Sequence, residues 1–294
     1  MSRLARPRVL GGCVAAAVLA GATAWAGERA DVVWHPAHPR VGDVAWLHVR
    51  NVPEAARVEG SVDGRPLAFF RYAGGQAALV GIDLETRPGA RSWGVAVLER
   101  DREPRTARGT VRFESRRFPV ERLTLPRAMV DLDPDTERRA VAEGQRLTTL
   151  FREISTERLW QGRFTRPLAG AEAGTGFGAR RIINGRPRAP HTGADYSAPL
   201  GTPVVAANTG RVALVGEFFF HGRLVVLDHG LGLYTLYFHL DSVAVKDDER
   251  VERGQTLGTV GASGRATGPH LHFAVQLGAA RVDPEALLGL ALND

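Results

Sequence analysis

A chain of 294 residues with 44% hydrophobic and 24% charged residues has an ordinary globular composition and enough length for more than one domain, which excludes a disordered or collagen-like protein. Its single cysteine excludes an internal disulfide framework and any cysteine-built metal cage, so a metal site must draw on histidine, aspartate or glutamate. The formal charge of +6 comes almost entirely from arginine scattered along the chain, with Lys246 the only lysine, and such scatter gives no reason to expect nucleic acid as a partner.

At the N-terminus, Arg3, Arg6 and Arg8 precede an apolar run from Val9 to Ala26 that closes on Ala24-Trp25-Ala26. This is the charged, apolar and small-x-small order of a secretory signal, residues 1–26, cleaved after Ala26. Its alanine and glycine content argues against a retained anchor, and Leu10-Gly11-Gly12-Cys13 sits too early in the apolar run for a lipid-attachment box. No later stretch is long and apolar enough to span a bilayer. The mature protein is therefore expected in the periplasm or outside the cell, without stable membrane insertion. Loss of the three signal arginines halves the formal excess of +6.

Residues 27–121 read as an accessory domain of short alternating strands, a β-sandwich-like unit. Val44 to Val49, Leu67 to Tyr72, Trp93 to Leu98 and Thr110 to Phe113 are examples, with Asp63-Gly64 and Gly74-Gly75 as turns. His35, His38 and His48 lie here without carboxylates at ligand spacing and are read as structural or surface histidines rather than ligands. The aromatic stretch Phe69, Phe70 and Tyr72 is read as strand packing.

Residues 122–162 are read as a helical connector packed between two domains. From Asp133 to Trp160 the period lengthens, Ala140, Leu147, Leu150, Phe151 and Ile154 share one stripe, and Asp133-Pro134 or Asp135 caps the start.

Six of the nine histidines fall between His191 and His272. The first context is His191-Thr192-Gly193-Ala194-Asp195. Fully extended, four steps would part the two side chains by roughly 13 Å, so the chain must bend, with Gly193 at the midpoint. The second is Gly268-Pro269-His270-Leu271-His272-Phe273-Ala274-Val275. As a strand it turns His270 and His272 to one face and Leu271, Phe273 and Val275 to the other, so one imidazole can hold an ion while the other addresses substrate or bound water. The third is Tyr234-Thr235-Leu236-Tyr237-Phe238-His239-Leu240, where alternation puts His239 on the face of Thr235 and Tyr237. His229, flanked by Asp228 and Gly230, is read as structural and His221 as a surface loop. Together these contexts point to a hydrolytic metal site.

From about Phe164 to Leu287 the chain resembles the lysostaphin-type, LytM-like zinc metalloendopeptidases that cut peptidoglycan peptides. The marks are Phe177-Gly178-Ala179-Arg180-Arg181, the His191 to Tyr196 segment, Ala198-Pro199-Leu200-Gly201-Thr202-Pro203-Val204, Asp228-His229-Gly230, Tyr237-Phe238-His239-Leu240 and Gly261 to Phe273. The upstream region looks like the accessory part of multidomain Gram-negative members. The resemblance implies a mainly β, antiparallel peptidase domain over residues 163–294 and one zinc ion per chain. It implies that His191, Asp195 and His272 bind zinc, that His239 and His270 are the catalytic pair, and that the substrate is a peptidoglycan peptide stem.

The chemistry of those residue types agrees. Two imidazoles and one carboxylate leave a tetrahedral ion with an open fourth position, as in catalytic rather than structural sites. The ion activates water, and an imidazole with a pKa near 6.5 moves the proton. No covalent intermediate is needed, which leaves Ser197 and Ser263 as ordinary polar residues. The chain departs from many members at Gly222-Arg223-Leu224 and at Ala274, neither of them a ligand position. The resemblance to Gram-negative members implies endopeptidase cleavage of the D-alanyl to diaminopimelyl cross-link rather than of a glycine bridge. The rival expectation is a catalytically silent wall-binding or regulatory factor that activates another hydrolase.

Overall fold

The computed structural model describes residues 29–171 and 176–292, so the expected signal, residues 1–26, lies outside the described residues. Strand dominates, and among the described residues the strands pair antiparallel with one exception noted below, beside an isolated parallel bridge between Arg40 and Glu114.

Two four-stranded sheets stack in the N-terminal half. One has the order Asp31–His35, Val44–Arg50, Gly75–Gly81, Phe69–Tyr72, the other Arg65–Pro66, Arg57–Val62, Gly89–Leu98, Arg105–Phe113. Leu47 and Val49 of the first meet Val58, Val95 and Val97 of the second, while Ala45 and Val80 meet Val62, Val111 and Phe113. Alternate residues of both sheets thus build a sandwich core. Asp63-Gly64, both left-handed, forms the two-residue turn from Val62 to Arg65. At the second turn the left-handed pair is Ala73-Gly74; Gly75 opens the strand, where a Cβ would stand 2.1 Å from the Val49 carbonyl oxygen.

The aromatic residues of this half pack inward. His35 stacks on Trp46 at 4.1 Å, His48 meets the edge of Tyr72 at 5.3 Å, and Phe70 meets Trp160 at 5.6 Å.

The C-terminal half is a nine-stranded sheet whose main path runs Gly193–Ser197, His270–Leu277, Leu233–Val243, Gly222–Asp228, Gly210–Phe218, Arg250–Val251. Thr256–Val260 joins Pro203–Val205 to the end of Leu233–Val243, and Ala280–Val282 folds back on His270–Leu277. Leu271, Phe273 and Val275 enter the principal core with Tyr196, Val225 and Tyr237, and Ala274 faces the opposite side with Leu236 and Phe238. His270–Leu277 therefore alternates as its sequence predicts.

The helix is shorter than its periodicity predicts, and it sits elsewhere. It spans Pro134–Leu150, with the Asp133 carboxylate accepting from the Asp135 and Thr136 N–H groups. The Tyr234 hydroxyl then lies 3.2 Å from the Leu150 carbonyl, in the last turn, and 2.5 Å from the Glu153 carbonyl beyond it. Beyond it Ile154 is 58% exposed and leaves the stripe, while Trp160, at the end of the segment, is buried in the core. Leu147, Leu150 and Phe151 pack on Leu214, Phe218 and Phe238 of the large sheet. The helix covers one face of that sheet rather than lying between the two halves.

The two halves are joined by a shared core instead. Val44, Trp46 and Leu79 cluster with Trp160, Phe164 and Leu277. Around this contact Arg116 Nη2 donates to Asp283 at 2.6 Å, and the Asp283 N–H donates to the Gly42 carbonyl at 2.7 Å. A third, small sheet bridges the halves by a parallel pair: Val120–Leu123 runs alongside Arg180–Ile183, which turns back through Arg186–Pro187.

Candidate metal centre and active site

Asp195 and His272 are directly opposed across Gly193–Ser197 and His270–Leu277, so both side chains stand on one face. His191 precedes the first of these strands. Its backbone is held by Gly178 and Ala179: the His191 N–H donates to Ala179 O at 2.9 Å, and the Gly178 N–H donates to His191 O at 2.7 Å. These contacts carry the His191 ring back over Asp195.

Three donor atoms converge there. His191 Nε2 is 2.9 Å from His272 Nδ1 and 3.1 Å from Asp195 Oδ1, and His272 Nδ1 is 2.7 Å from that same oxygen. A tetrahedral ion with bonds of about 2.0 Å would set its ligand atoms about 3.3 Å apart, close to the observed 2.7 to 3.1 Å. The donor set, two imidazoles and a carboxylate, can hold a metal ion. Among the described residues His191 Nδ1 is buried without a partner, so the ring's contacted nitrogen is the one at this centre. Burial raises the Asp195 carboxyl, but hydrogen bonding with His191 and His272 outweighs it and holds the group far below the usual carboxylate range.

Gly193 serves a purpose other than the expected bend. It opens a strand, and a Cβ there would lie 2.5 Å from both His272 Nε2 and the Phe273 carbonyl oxygen. Glycine is required because the His272 ring occupies the space a side chain would need.

His239 also reaches the centre by a route that alternation misses. Thr235 and Tyr237 point away from the site: Tyr237 enters the principal core, and Thr235 meets the buried His229. His239 has a left-handed backbone, φ 63°, where Leu233–Val243 passes from pairing with His270–Leu277 to pairing with Thr256–Val260. Such an irregularity re-aims one residue. The His239 ring lies 4.7 Å from that of His270 and 6.1 Å from that of His272, while Phe238 stacks on His272 at 5.3 Å.

Both outer imidazoles are oriented by main-chain oxygens. His239 Nδ1 donates to Ser263 O at 2.8 Å and His270 Nδ1 to Gly268 O at 2.9 Å. Among the described residues neither Nε2 has a hydrogen-bond partner, and His270 Nε2 is 3.9 Å from Asp195 Oδ1. Burial, reinforced by neighbouring His272, pushes the His239 pKa down to about 3.

Ser263 is more than an ordinary polar residue. Besides its carbonyl, its hydroxyl accepts from the Arg223 N–H at 2.9 Å and donates to Leu240 O at 2.8 Å, stapling the loop onto the irregular strand. Sequence carries no signal for a carbonyl contact. Ser197 is exposed.

His221 is no surface ornament either. Its ring packs 4.5 Å from Phe238, its carbonyl accepts the His239 N–H at 2.9 Å, and burial with the nearby His272 and Arg265 pushes its pKa to about 4. His229 is fully buried, with Nδ1 donating to Thr209 O at 2.8 Å and Nε2 2.7 Å from the Thr235 hydroxyl. The outer oxygen of Asp195 faces Arg181, whose Nη2 is 3.8 Å away and whose Nε donates to Glu121 at 3.0 Å.

Known proteins share this arrangement of sequence and fold. Residues 189–284 match the profile of peptidase family M23. The chain is 43% identical over 109 residues to peptidoglycan DD-endopeptidase ShyC of Vibrio cholerae serotype O1, covering 36% of this chain and 25% of that one. It is 40% identical over 94 residues to DD-carboxypeptidase/endopeptidase Mpg of Neisseria meningitidis serogroup B, covering 32% and 22% respectively. The chain thus spans about a quarter of the length of these curated relatives. A crystal structure from Pseudomonas aeruginosa assigned to peptidase M23 is 30% identical, with a TM-score of 0.67 over 85% of this chain and 95% of that one. Because that likeness runs through both halves and not the metal-site segment alone, the chain belongs to peptidase family M23.

Proposed function

We propose that the protein is a periplasmic or secreted zinc endopeptidase that hydrolyses the D-alanyl to diaminopimelyl cross-link of peptidoglycan. The observation that carries this reading is the convergence of His191 Nε2, Asp195 Oδ1 and His272 Nδ1 beside two imidazoles whose Nε2 atoms are free. The names of the curated relatives, DD-endopeptidases among them, support the substrate class. Among the described residues no helix is long and apolar enough to cross a membrane, which is compatible with release after signal cleavage at Ala26. Residues 27–121 form the accessory unit, 122–162 the connector and 163–294 the peptidase.

His191, Asp195 and His272 would hold the zinc ion, which when bound supplies an activated water and polarises the scissile carbonyl. The residues of the chain do the remaining work. His239 and His270 accept the water proton at Nε2 and return it to the leaving amine, because each Nδ1 is already spent on a carbonyl. Phe238, stacked on His272, keeps that ring from rotating out of the ligand set. Neither serine hydroxyl takes part in the chemistry; Ser263 acts only through the carbonyl that orients His239.

The test is digestion of purified cross-linked sacculi by the mature protein, with and without a chelator, with products identified by mass. Release of uncross-linked stems that stops with chelator and with His272→Ala is expected. No release from any wall type by zinc-loaded protein would remove the reading.

A further inference from the structure

Arg181 and Arg188 are opposed in the hairpin formed by Arg180–Ile183 and Arg186–Pro187. The Arg188 N–H donates to Arg181 O at 2.9 Å, one pair beyond Ile182 and Pro187. Directly opposed residues share a face, so both side chains rise on the side where Arg181 Nη2 comes within 3.8 Å of Asp195 Oδ2. Arg265 belongs to the loop that leads into His270. Its guanidinium stacks 4.2 Å from the centre of the Phe220 ring, and its Nη1 meets the Met129 carbonyl at 3.5 Å. Burial, and then the charges of Arg181 and Arg188, hold Arg265 below its ordinary value.

Like charges directly opposed on a ribbon are destabilising, and a third adds to the cost. Glu121 offsets one of them through Arg181 Nε. Among the described residues no carboxylate pairs with Arg188 or Arg265, and the charge of Asp195 is directed to the metal centre. A fold that tolerates this repulsion beside its reactive atoms is built to receive an anion there.

Resting on the endopeptidase reading, we propose that Arg181, Arg188 and Arg265 form a carboxylate subsite that takes the free carboxylate on the amine side of the scissile bond. In a D-alanyl to diaminopimelyl bond, the carbon that bears the leaving nitrogen also bears a carboxylate. A glycine bridge has a peptide carbonyl at that place and no charge. Guanidinium suits the role because its donors match a carboxylate in two parallel hydrogen bonds. The subsite would orient the leaving amine toward His239 and His270 and select cross-links of this kind.

The probes are two cross-linked muropeptide dimers that differ only at that carboxylate, free in one and amidated in the other. Zinc-loaded mature protein carrying His270→Ala is titrated with each, alone and with Arg188→Gln, Arg265→Gln or both added. The free acid is expected to bind about tenfold to a hundredfold more tightly than the amide, in line with a charge-assisted hydrogen bond. Each glutamine should reduce that preference, the pair should abolish it with little effect on the amide, and Arg265→Lys should restore part of it. Equal affinity for the two dimers, including no binding of either, overturns the subsite, as does an equal loss on both when arginine is replaced. Cleavage of the same dimers by the wild-type protein separates the two ideas: failure to cut either removes the endopeptidase reading, while the binding comparison still decides the subsite.

Discussion

Asp195 Oδ1 lies 2.7 Å from His272 Nδ1 because the two residues face each other directly across neighbouring strands. Register alone therefore builds two-thirds of the candidate metal centre, and His191 completes it from a segment held by main-chain bonds to Gly178 and Ala179. A slip of one residue in that pairing would turn both side chains to opposite faces. The centre and the sheet stand or fall together.

Metal binding should accordingly be read out in stability. An ion that binds only the folded chain contributes about 4 kcal/mol at a thousand times its dissociation constant, so zinc added to chelator-treated protein should raise the melting temperature by roughly 10 °C. Scanning calorimetry of wild type, His191→Ala and His272→Ala checks this; a full zinc-induced rise in either variant would contradict the ligand assignment.

Replacing His239 or His270 by alanine should lower the hydrolytic rate by about 10² to 10⁴, with zinc content near one ion per chain preserved. Paired measurement of metal content and turnover separates proton transfer from metal retention. Loss of zinc in either variant would make that residue a ligand instead.

Gly193→Ala tests the packing behind His272. The new methyl would meet the His272 ring and the Phe273 carbonyl at 2.5 Å, and the carbonyl belongs to a paired strand that has little room to move. A loss of about 1 to 3 kcal/mol in urea unfolding is expected, with weakened zinc affinity. Unchanged affinity would show that the ring yields.

The contact between the halves has a pH signature. Arg281 donates to Asp83 from Nε at 3.0 Å and from Nη2 at 2.8 Å. Burial raises the Asp83 carboxyl, but bonds from the Arg281 side chain and backbone and from the Glu85 N–H outweigh it and leave its pKa below the ordinary 3.8. A lowered folded value stabilises above the unfolded value and is lost as pH falls through the folded one. Arg281→Ala should therefore cost about 1 to 3 kcal/mol near neutral pH, and the difference from wild type should shrink below about pH 4. Urea midpoints across pH 3 to 7 measure it; a difference that persists at the acid end would place the effect in packing.

Much of this architecture was legible in the linear pattern. The alternation in His270–Leu277 separates the two histidines from Leu271, Phe273 and Val275, and Asp63-Gly64 marks a hairpin turn, because both depend only on neighbours in the chain. The helix from Pro134 was legible at its start, where Asp133 caps it, and not at its end, where the hydroxyl of Tyr234 meets the Leu150 carbonyl. Alternation puts His239 on the face of Thr235 and Tyr237 because it presumes an unbroken strand, whereas its φ is 63°.

The sequence by itself determined the residue types of the site and the faces of the regular strands, because period-two geometry and metal-ligand chemistry are local properties. Tertiary structure decided how His191, Asp195 and His272 meet, why position 193 must be glycine, which carbonyls orient His239 and His270, and that Arg181 and Arg188 are opposed beside Asp195. Those relations join residues far apart in the chain through strand register, a left-handed backbone and main-chain oxygens, none of which a side-chain alphabet encodes.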